Sequence, residues 1–506
     1  MRWLWPIAML MLAACDSDDG PAPCDGCIAG PDAQPDGGTD GLPDADSQAP
    51  DFGPNKLDNG VACVAGAQCK SGQCVDDVCC ADSCTGSCMA CNLDGTKGTC
   101  SAVPASAGPQ QDCAGDPKCG NGVCDGAGGC SYPNAGQPCG SICNGGGKLV
   151  VSLCDAAYQC VAQAPASCSP YTCDATANAC RTSCTQHQEC DPASACDRSA
   201  AHTAGTGACV PLAQADTVAS GQEIATVVGA TTKPVVIVPP GTYKQKIVVS
   251  KTIKIIGKGS ATSPSKLDPD TDGAAITIQT NGKLTVQGLT IQGATGTGGD
   301  GLYCQGSSTT KATLVAVENT IADNKGHGVL GSFCDVTLRR NVIQSNQAGG
   351  ADLSKGAFVV VNNVVAQNGV FGSAGSAFGG ISLSAGTGTM NVVNNTVAEN
   401  QSSSVAVASG MICSSTTKLY NNIVWGNQGG SGQVSGCVFD HSDVEGIATG
   451  SGNINVNPNF TTTFIPQATQ CFNSGTNSAP GLGVLDVTNG PRIKSAVVDM
   501  GAYEVQ

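Results

Sequence analysis

Five copies of one seven-residue motif organise the second half of this chain: ENTIADN (318–324), RNVIQSN (340–346), NNVVAQN (362–368), NNTVAEN (394–400) and NNIVWGN (421–427). Their second residues, Asn319, Asn341, Asn363, Asn395 and Asn422, lie 22, 22, 32 and 27 residues apart. A unit repeated at such a period buries its apolar face only against neighbouring copies, which is the condition for a solenoid. Five and three residues before each Asn stand Leu314 and Ala316, Val336 and Leu338, Phe358 and Val360, Met390 and Val392, Thr417 and Leu419; two residues after it stands Ile321, Ile343, Val365, Val397 or Val424. Alternation with β-branched residues is strand patterning, and the Gly, Ser and Asn between the runs are turn formers. Leucine is too sparse for a leucine-rich repeat, and the GGxGxDxUx calcium nonapeptide is absent. A unit of about 22 residues suits one coil of a parallel β-helix, with three short strands, three turns and a rise of roughly 4.8 Å. The expected fold class is therefore all-β, a parallel β-helix solenoid over 213–451. The 32-residue spacing reads as one turn enlarged by SAGSAFGGISLSAGTGT.

The recurring Asn follows from this geometry. A carboxamide stacked on its own copy donates to one neighbour and accepts from the other, satisfying groups that a tight turn leaves unpaired. We read these five residues as a structural ladder rather than a row of ligands.

Three stretches carry resemblances. VVIVPPGTYKQKIVVSKTIKIIGKGS (235–260) resembles the opening coils of right-handed, pectate-lyase-like β-helix proteins, whose PxGTY turn matches Pro240, Gly241, Thr242 and Tyr243. VDMGAYE (498–504) resembles the DxGAYE terminator of bacterial surface proteins with alternative cell-surface anchors, and GNINVNPNF (452–460) is similar to their closing segment. These resemblances imply right-handedness and secretion; they do not imply one activity.

The front of the chain has another character. Arg2 and an apolar run precede Leu12-Ala13-Ala14-Cys15, so 1–14 reads as a signal peptide and the tetrapeptide resembles the bacterial lipobox. That resemblance implies a lipidated Cys15 as the membrane anchor, hence a cell-envelope location, periplasmic or outer-surface facing. Asp16 follows the lipid site and leaves the choice of membrane open. Residues 16–60 hold eleven Asp and one Lys among Gly, Pro, Ala and Ser. This is a disordered acidic linker over 15–60, carrying most of the net charge of −16. The charge argues against nucleic acid as a partner. Within this linker calcium is the one cofactor left open, although no EF-hand spacing appears there.

Residues 63–209 contain 24 of the 32 cysteines. With an export signal ahead of them, disulfides are the default over zinc, although Cys88 and Cys91 have knuckle-like spacing. Residues 61–212 therefore form a disulfide-rich region, whose stretches at 62–91, 119–130 and 184–196 resemble Cys-rich modules of myxobacterial-type secreted proteins. Two further disulfides are expected to staple the β-helix, Cys304–Cys334 and Cys413–Cys437, each pair about one coil apart. After lipidation 31 cysteines remain, so one stays free or pairs with another chain, and Cys471 is the candidate.

Candidates for chemistry are few. Asp300 and His327 each precede a Gly-apolar strand start and should stack on successive coils, where a His beside an Asp is a candidate base. Asp323, Lys325, Asp335, Arg339, Arg340 and Asp352 lie within a few coils; Asp323 and Arg339 join Asp300 and His327 as the candidate catalytic set. No two carboxylates show a recognisable catalytic spacing. Two function classes follow. One is a lipid-anchored, non-catalytic structural or binding β-helix, adhesive or carbohydrate-contacting, with a polysaccharide or surface protein as partner. The other is a surface polysaccharide lyase or glycoside hydrolase.

One surface needs explanation. If the residues five and three before each ladder Asn point inward, those four and two before it point outward: Val315 and Val317, Thr337 and Arg339, Val359 and Val361, Asn391 and Val393, Lys418 and Tyr420. Such a column is too apolar to face water, and the non-repeating tail 452–506 is expected to cover it.

Overall fold

The computed structural model describes residues 55–105, 113–120, 122–132, 135–145, 147–369, 378–388, 390–414, 418–447 and 449–505. The signal segment, Cys15 and the linker as far as residue 54 lie outside the described residues. The chain forms two compact units, one of Met1–Thr85 with Ala90–Ser101, the other of Gly86–Met89 with Ala102–Gln506.

Each unit is stapled within itself. The first holds Cys63–Cys74, Cys69–Cys79, Cys80–Cys91 and Cys84–Cys100. In the second, Cys88–Cys124 and Cys119–Cys154 run across the boundaries of the three local modules read from the sequence, so those stretches are not separate folding pieces. Strands here are mostly two residues long and the buried apolar side chains are largely the cystines themselves. Cross-links, at about 2–4 kcal/mol each, stand in for a core.

From Ala215 the chain winds into three parallel sheets of ten, nine and eight strands among the described residues. Each coil contributes one strand to each sheet, for example Cys334–Arg339, Val342–Gln344 and Gly349–Ser354. Inward side chains stack in register: Leu284, Leu314, Val336 and Phe358 in the first sheet, Ile291, Ile321, Ile343, Val365, Val397 and Val424 in the second. The helix Ile224–Ala230 buries Ile224, Val227 and Val228 over the first coil, closing that end of the core. In the PGTY turn the Tyr243 hydroxyl donates to the Pro239 carbonyl at 3.1 Å.

The corners explain the motif. Its first residue, Glu318, Arg340, Asn362, Asn394 or Asn421, has φ between 54° and 58°. For a residue with a Cβ that costs roughly 1–2 kcal/mol. The Asn that follows offsets this. Each carboxamide donates to the next one at 3.0 Å (Asn319 to Asn341, then Asn363, Asn395 and Asn422) and to a carbonyl of the coil before, such as Ala316 from Asn341 at 2.9 Å. Each Oδ1 also takes a backbone N–H from the previous coil. Ser442 ends the row. A second ladder, not anticipated, runs through the seventh residue of the motif: Asn324, Asn346, Asn368, Asn400 and Asn427, at 2.9–3.0 Å, ending on Gln433.

Among the described residues, no asparagine ladder runs along the corner between the third and first sheets. Both β-helix disulfides cross it: Cys304–Cys334 joins strands of the third and first sheets, and Cys413–Cys437 joins the third sheet to the residue just before the first-sheet strand Val438–Asp440. Cys471 is the free thiol among the described residues; it is buried, donates to Asp443 Oδ2 at 3.4 Å, and burial pushes its pKa up.

The outward column has two covers, not one. Toward the first coils, the segment around 184–210 packs Ala195 and Val210 on Ile237 and Ile256, and Gln287 exchanges hydrogen bonds with Cys196 and Arg198. Toward the last coils, Ala479 and Leu482 of the tail lie on Val361, Val393 and Tyr420. Phe464 and Ala502 extend the tail onto the second sheet at Val364, Ala366 and Ala398. The row two before the Asn is covered, while Val315, Thr337 and Val359 of the row four before remain half-exposed.

Two outcomes follow. Asn363→Ala removes a fully buried member that bonds in four directions, so denaturant unfolding should show a loss of about 2–4 kcal/mol; a loss under about 1 kcal/mol would contradict the ladder account. Ending the chain after Gly446 strips the tail cover, and the shortened protein should lose solubility and bind a hydrophobic dye. A soluble, dye-silent monomer would show that the column needs no cover.

Candidate functional site

Of the four candidate catalytic residues, the fold brings together two. Asp300, 3% exposed, accepts from the His327 backbone N–H at 2.7 Å and lies 3.1 Å from His327 Nδ1. The His327 ring stacks on Phe378 at 5.8 Å. This pair sits at the entry to the third sheet, in the row continued by Gly349, Gly379 and Ser409. Beside it runs a glycine column, Gly301, Gly328, Gly350, Gly380 and Gly410. A Cβ at Gly328 would meet the Gly350 carbonyl and Asn346 Nδ2 at 2.8 Å, so the column is what lets the coils close over the second ladder. Asp323 is an exposed corner residue with φ 55°, and Arg339 belongs to the first sheet. Lys325 is exposed, Asp335 is paired with Lys311 at 3.0 Å, and Asp352 points outward from the third sheet. Asp335 and Arg339 thus lie on the first sheet, Asp352 with the Asp300–His327 pair on the third, and Asp323 at the corner before it.

A cleft of about 610 Å³ lies elsewhere, where the last disulfide module, the second sheet and the tail meet. The module supplies Gln186, His187, Gln188 and Arg198. The β-helix supplies Lys258, Ser260, Thr290, Glu318 and Thr320, and the tail supplies Asn489. Thr290 and Thr320 occupy matching outward positions on adjacent strands, so their hydroxyls stand one above the other. Asn489 Oδ1 is buried without a partner among the described residues. Sequence inspection missed this cleft because its walls lie up to about 300 residues apart, and only the threonine pair repeats.

Its charges are already engaged. Glu318 Oε1 receives Arg198 Nε at 3.3 Å and Arg340 Nη2 at 2.8 Å, which makes it an ion-pair member. Lys258 donates to the Pro192 carbonyl at 2.6 Å, and burial lowers its pKa. His187 Nδ1 accepts from the Cys196 N–H at 3.1 Å; burial, then Lys258, hold the imidazole down to about 4. The arrangement offers neutral hydroxyls and amides with engaged charges at the rim.

Metal chemistry finds little support in the described residues. The crowded thiols of 63–209 are disulfide partners, Cys88 with Cys124 and Cys91 with Cys80, so the knuckle-like spacing has no thiolate to offer. Asp268-Pro269-Asp270-Thr271-Asp272-Gly273 matches the opening of a calcium loop. However, the twelfth position is Gln279 rather than a bidentate Glu, and Lys244 takes Asp268 at 3.3 Å. These residues do not fit calcium.

Residues 274–461 match the family model described as right handed beta helix region. The fold is a right-handed parallel β-helix. No curated protein matches the chain. Among solved structures, it is similar to the tailspike protein gp49 from Acinetobacter baumannii bacteriophage Fri1, a capsular polysaccharide depolymerase, at 9% identity and a TM-score of 0.23. The match covers 47% of this chain and 60% of that one, less than two thirds of its length. A superposition that weak gives no ground for transferring an activity.

The histidines set a pH dependence. His202, 4% exposed, is also held at about 4, by burial and then by Arg339. Unfolded, both titrate near 6.5. A depressed folded pKa contributes stability that is complete above about 6.5 and lost as pH falls through about 4. The unfolding midpoint of the native chain should therefore drop more steeply over that window than that of a His187→Gln/His202→Gln variant. Parallel curves would remove both histidines from the account.

Proposed function

We propose that this chain is an exported cell-envelope protein, anchored through lipid on Cys15, whose β-helix serves as a non-catalytic carbohydrate-contacting element. The observation that carries the binding part is the three-walled cleft, with stacked Thr290 and Thr320 hydroxyls, Gln186 and Gln188 amides and the unpartnered acceptor Asn489 Oδ1. Hydroxyl-rich ligands both donate and accept, and a lining of this kind matches them in both directions. Glu318 is tied to two arginines, so its carboxylate is a fixed part of the cleft wall. The anchor and location rest on the lipobox resemblance.

The lyase or hydrolase reading draws on the fold alone, which hosts many functions. A polysaccharide panel separates the two. The purified protein should bind at least one glycan and release no new unsaturated or reducing ends, and Thr320→Trp, which fills the cleft, should abolish binding without lowering the melting temperature. Binding unchanged in Thr320→Trp would move the site elsewhere; new chain ends would establish an enzyme. Membrane retention of a Cys15→Ser chain after export would refute the lipid anchor.

A further inference from the structure

The last coil carries a carboxyl where the three coils before it carry neutral side chains. The outward row of the second sheet runs Val364, Thr396, Ile423 and Asp443. The tail lies along it: Phe464 and Ala502 pack on Val364, the Ala502 N–H donates to Thr396 Oγ1 at 3.0 Å, and Cys471 and Met500 pack on Ile423. Asp443 continues the row with no exposure, so its carboxyl meets the tail inside the joint.

Its partners are weak for a carboxylate. Oδ1 accepts the Val456 N–H at 3.1 Å and Oδ2 the Cys471 thiol at 3.4 Å, and no cation bonds it among the described residues. Asp499, which together with Asp443 raises the pKa of the Cys471 thiol, has the same sign of charge. The other acids of the joint are better served. Asp499 accepts the Asn473 and Val505 N–H groups, Asp486 the Gly490 N–H, and Glu504 pairs with Arg492. On the last coil itself Asp440 pairs with Lys418 and His441, and Glu445 accepts the Gly426 N–H. Burying a carboxylate without a cation is costly, whereas burying a neutral carboxyl costs far less. Burial, which the two bonds offset only in part, holds the Asp443 carboxyl at about 6 against 3.8 when exposed.

We infer that docking of the tail on the last coil is proton-linked through Asp443: the joint is tightest while this carboxyl is neutral and loosens as it ionises. A folded pKa raised in this way contributes stability that is complete below about 3.8 and lost as pH rises through about 6. The device does not depend on what the cleft binds. It is opposite in sign to His202, where tail meets module, whose contribution is lost as pH falls through about 4. Above about 6 the tail opens more readily and bares the apolar row beneath it.

The test is amide hydrogen exchange of the purified protein, read at Val456, Cys471 and Met500, whose N–H groups bond Asp443, the Ala468 carbonyl and the Cys471 carbonyl. Protection, corrected for the intrinsic rate at each pH, should fall roughly ten- to a hundredfold between about pH 4.5 and about pH 7.5. Asp443→Asn should remove the fall, and His441→Gln, which alters the histidine of the same coil, should keep it. If Asp443→Asn fails to fold, the native chain still decides: alkylation of Cys471, divided by its rate in denaturant at the same pH, should rise by the same factor over the same span. Constant protection with a constant alkylation ratio in the native chain would overturn the inference. So would a fall that persists in folded Asp443→Asn or vanishes in His441→Gln.

Discussion

Turning a sharp corner with a residue that carries a Cβ is the constraint on which this structure depends. Four successive coils make such a turn before the second sheet and another after it, at Glu318 and Asp323, Arg340 and Ser345, Asn362 and Gln367, Asn394 and Glu399, while the coil before them uses Gly288 and Gly293. Each strained residue is followed by an asparagine whose carboxamide reaches the coil on either side. The ladder asparagines are buried, where an unmade bond costs most. Register, corner geometry and coil stacking are thus set by the same few atoms, and the apolar stacks inside need only fill the space between two ladders.

The first corner has a second use. Its strained residues point away from the core, and what they carry decides what docks there. Glu318 and Arg340 bind Arg198 of the disulfide module. Asn362 donates to the Leu485 carbonyl, Asn394 to the Asp499 and Gly501 carbonyls, and Asn421 to the Thr476 carbonyl. The DMGAYE ending is a fitted part of this joint. Asp499 and Glu504 are buried, Glu504 pairs with fully buried Arg492 at 2.9 Å, and Arg492 also donates to the carbonyls of Gly501, Ala502 and Tyr503. Gly501 has φ 85°, and a Cβ there would stand 2.7 Å from Ile423. The module and the tail then meet at His202, so the two covers, from segments almost 300 residues apart, touch each other there.

Much of the fold was legible because a solenoid writes its geometry into short-range periodicity. The inward positions, the first ladder and the coil length are all local. The second ladder was equally local and was missed because the motif was read from its second residue alone; Asn324, Asn346 and Asn368 recur at the same spacing. The first letters of the motif, Glu, Arg, Asn, Asn, Asn, drift with what each coil must hold, and drift hides a row from anyone looking for identity. The candidate catalytic set was read by nearness along the chain. Nearness in sequence brought Asp300 and His327 together on adjacent coils but left Arg339 in a different sheet. The cleft could not be read at all, because its walls meet only after the module has docked.

The central claim is that one row of corner residues holds the covers while the ladders hold the coils. Replacing Asn362, Asn394 and Asn421 together by glycine keeps the positive φ and deletes the amides, and amide hydrogen exchange then reports each part separately. The account predicts rapid exchange over 485–502, with protection of the strands 364–366 and 396–398 unchanged. Coils that loosen along with the tail, or a tail that stays protected, would contradict it.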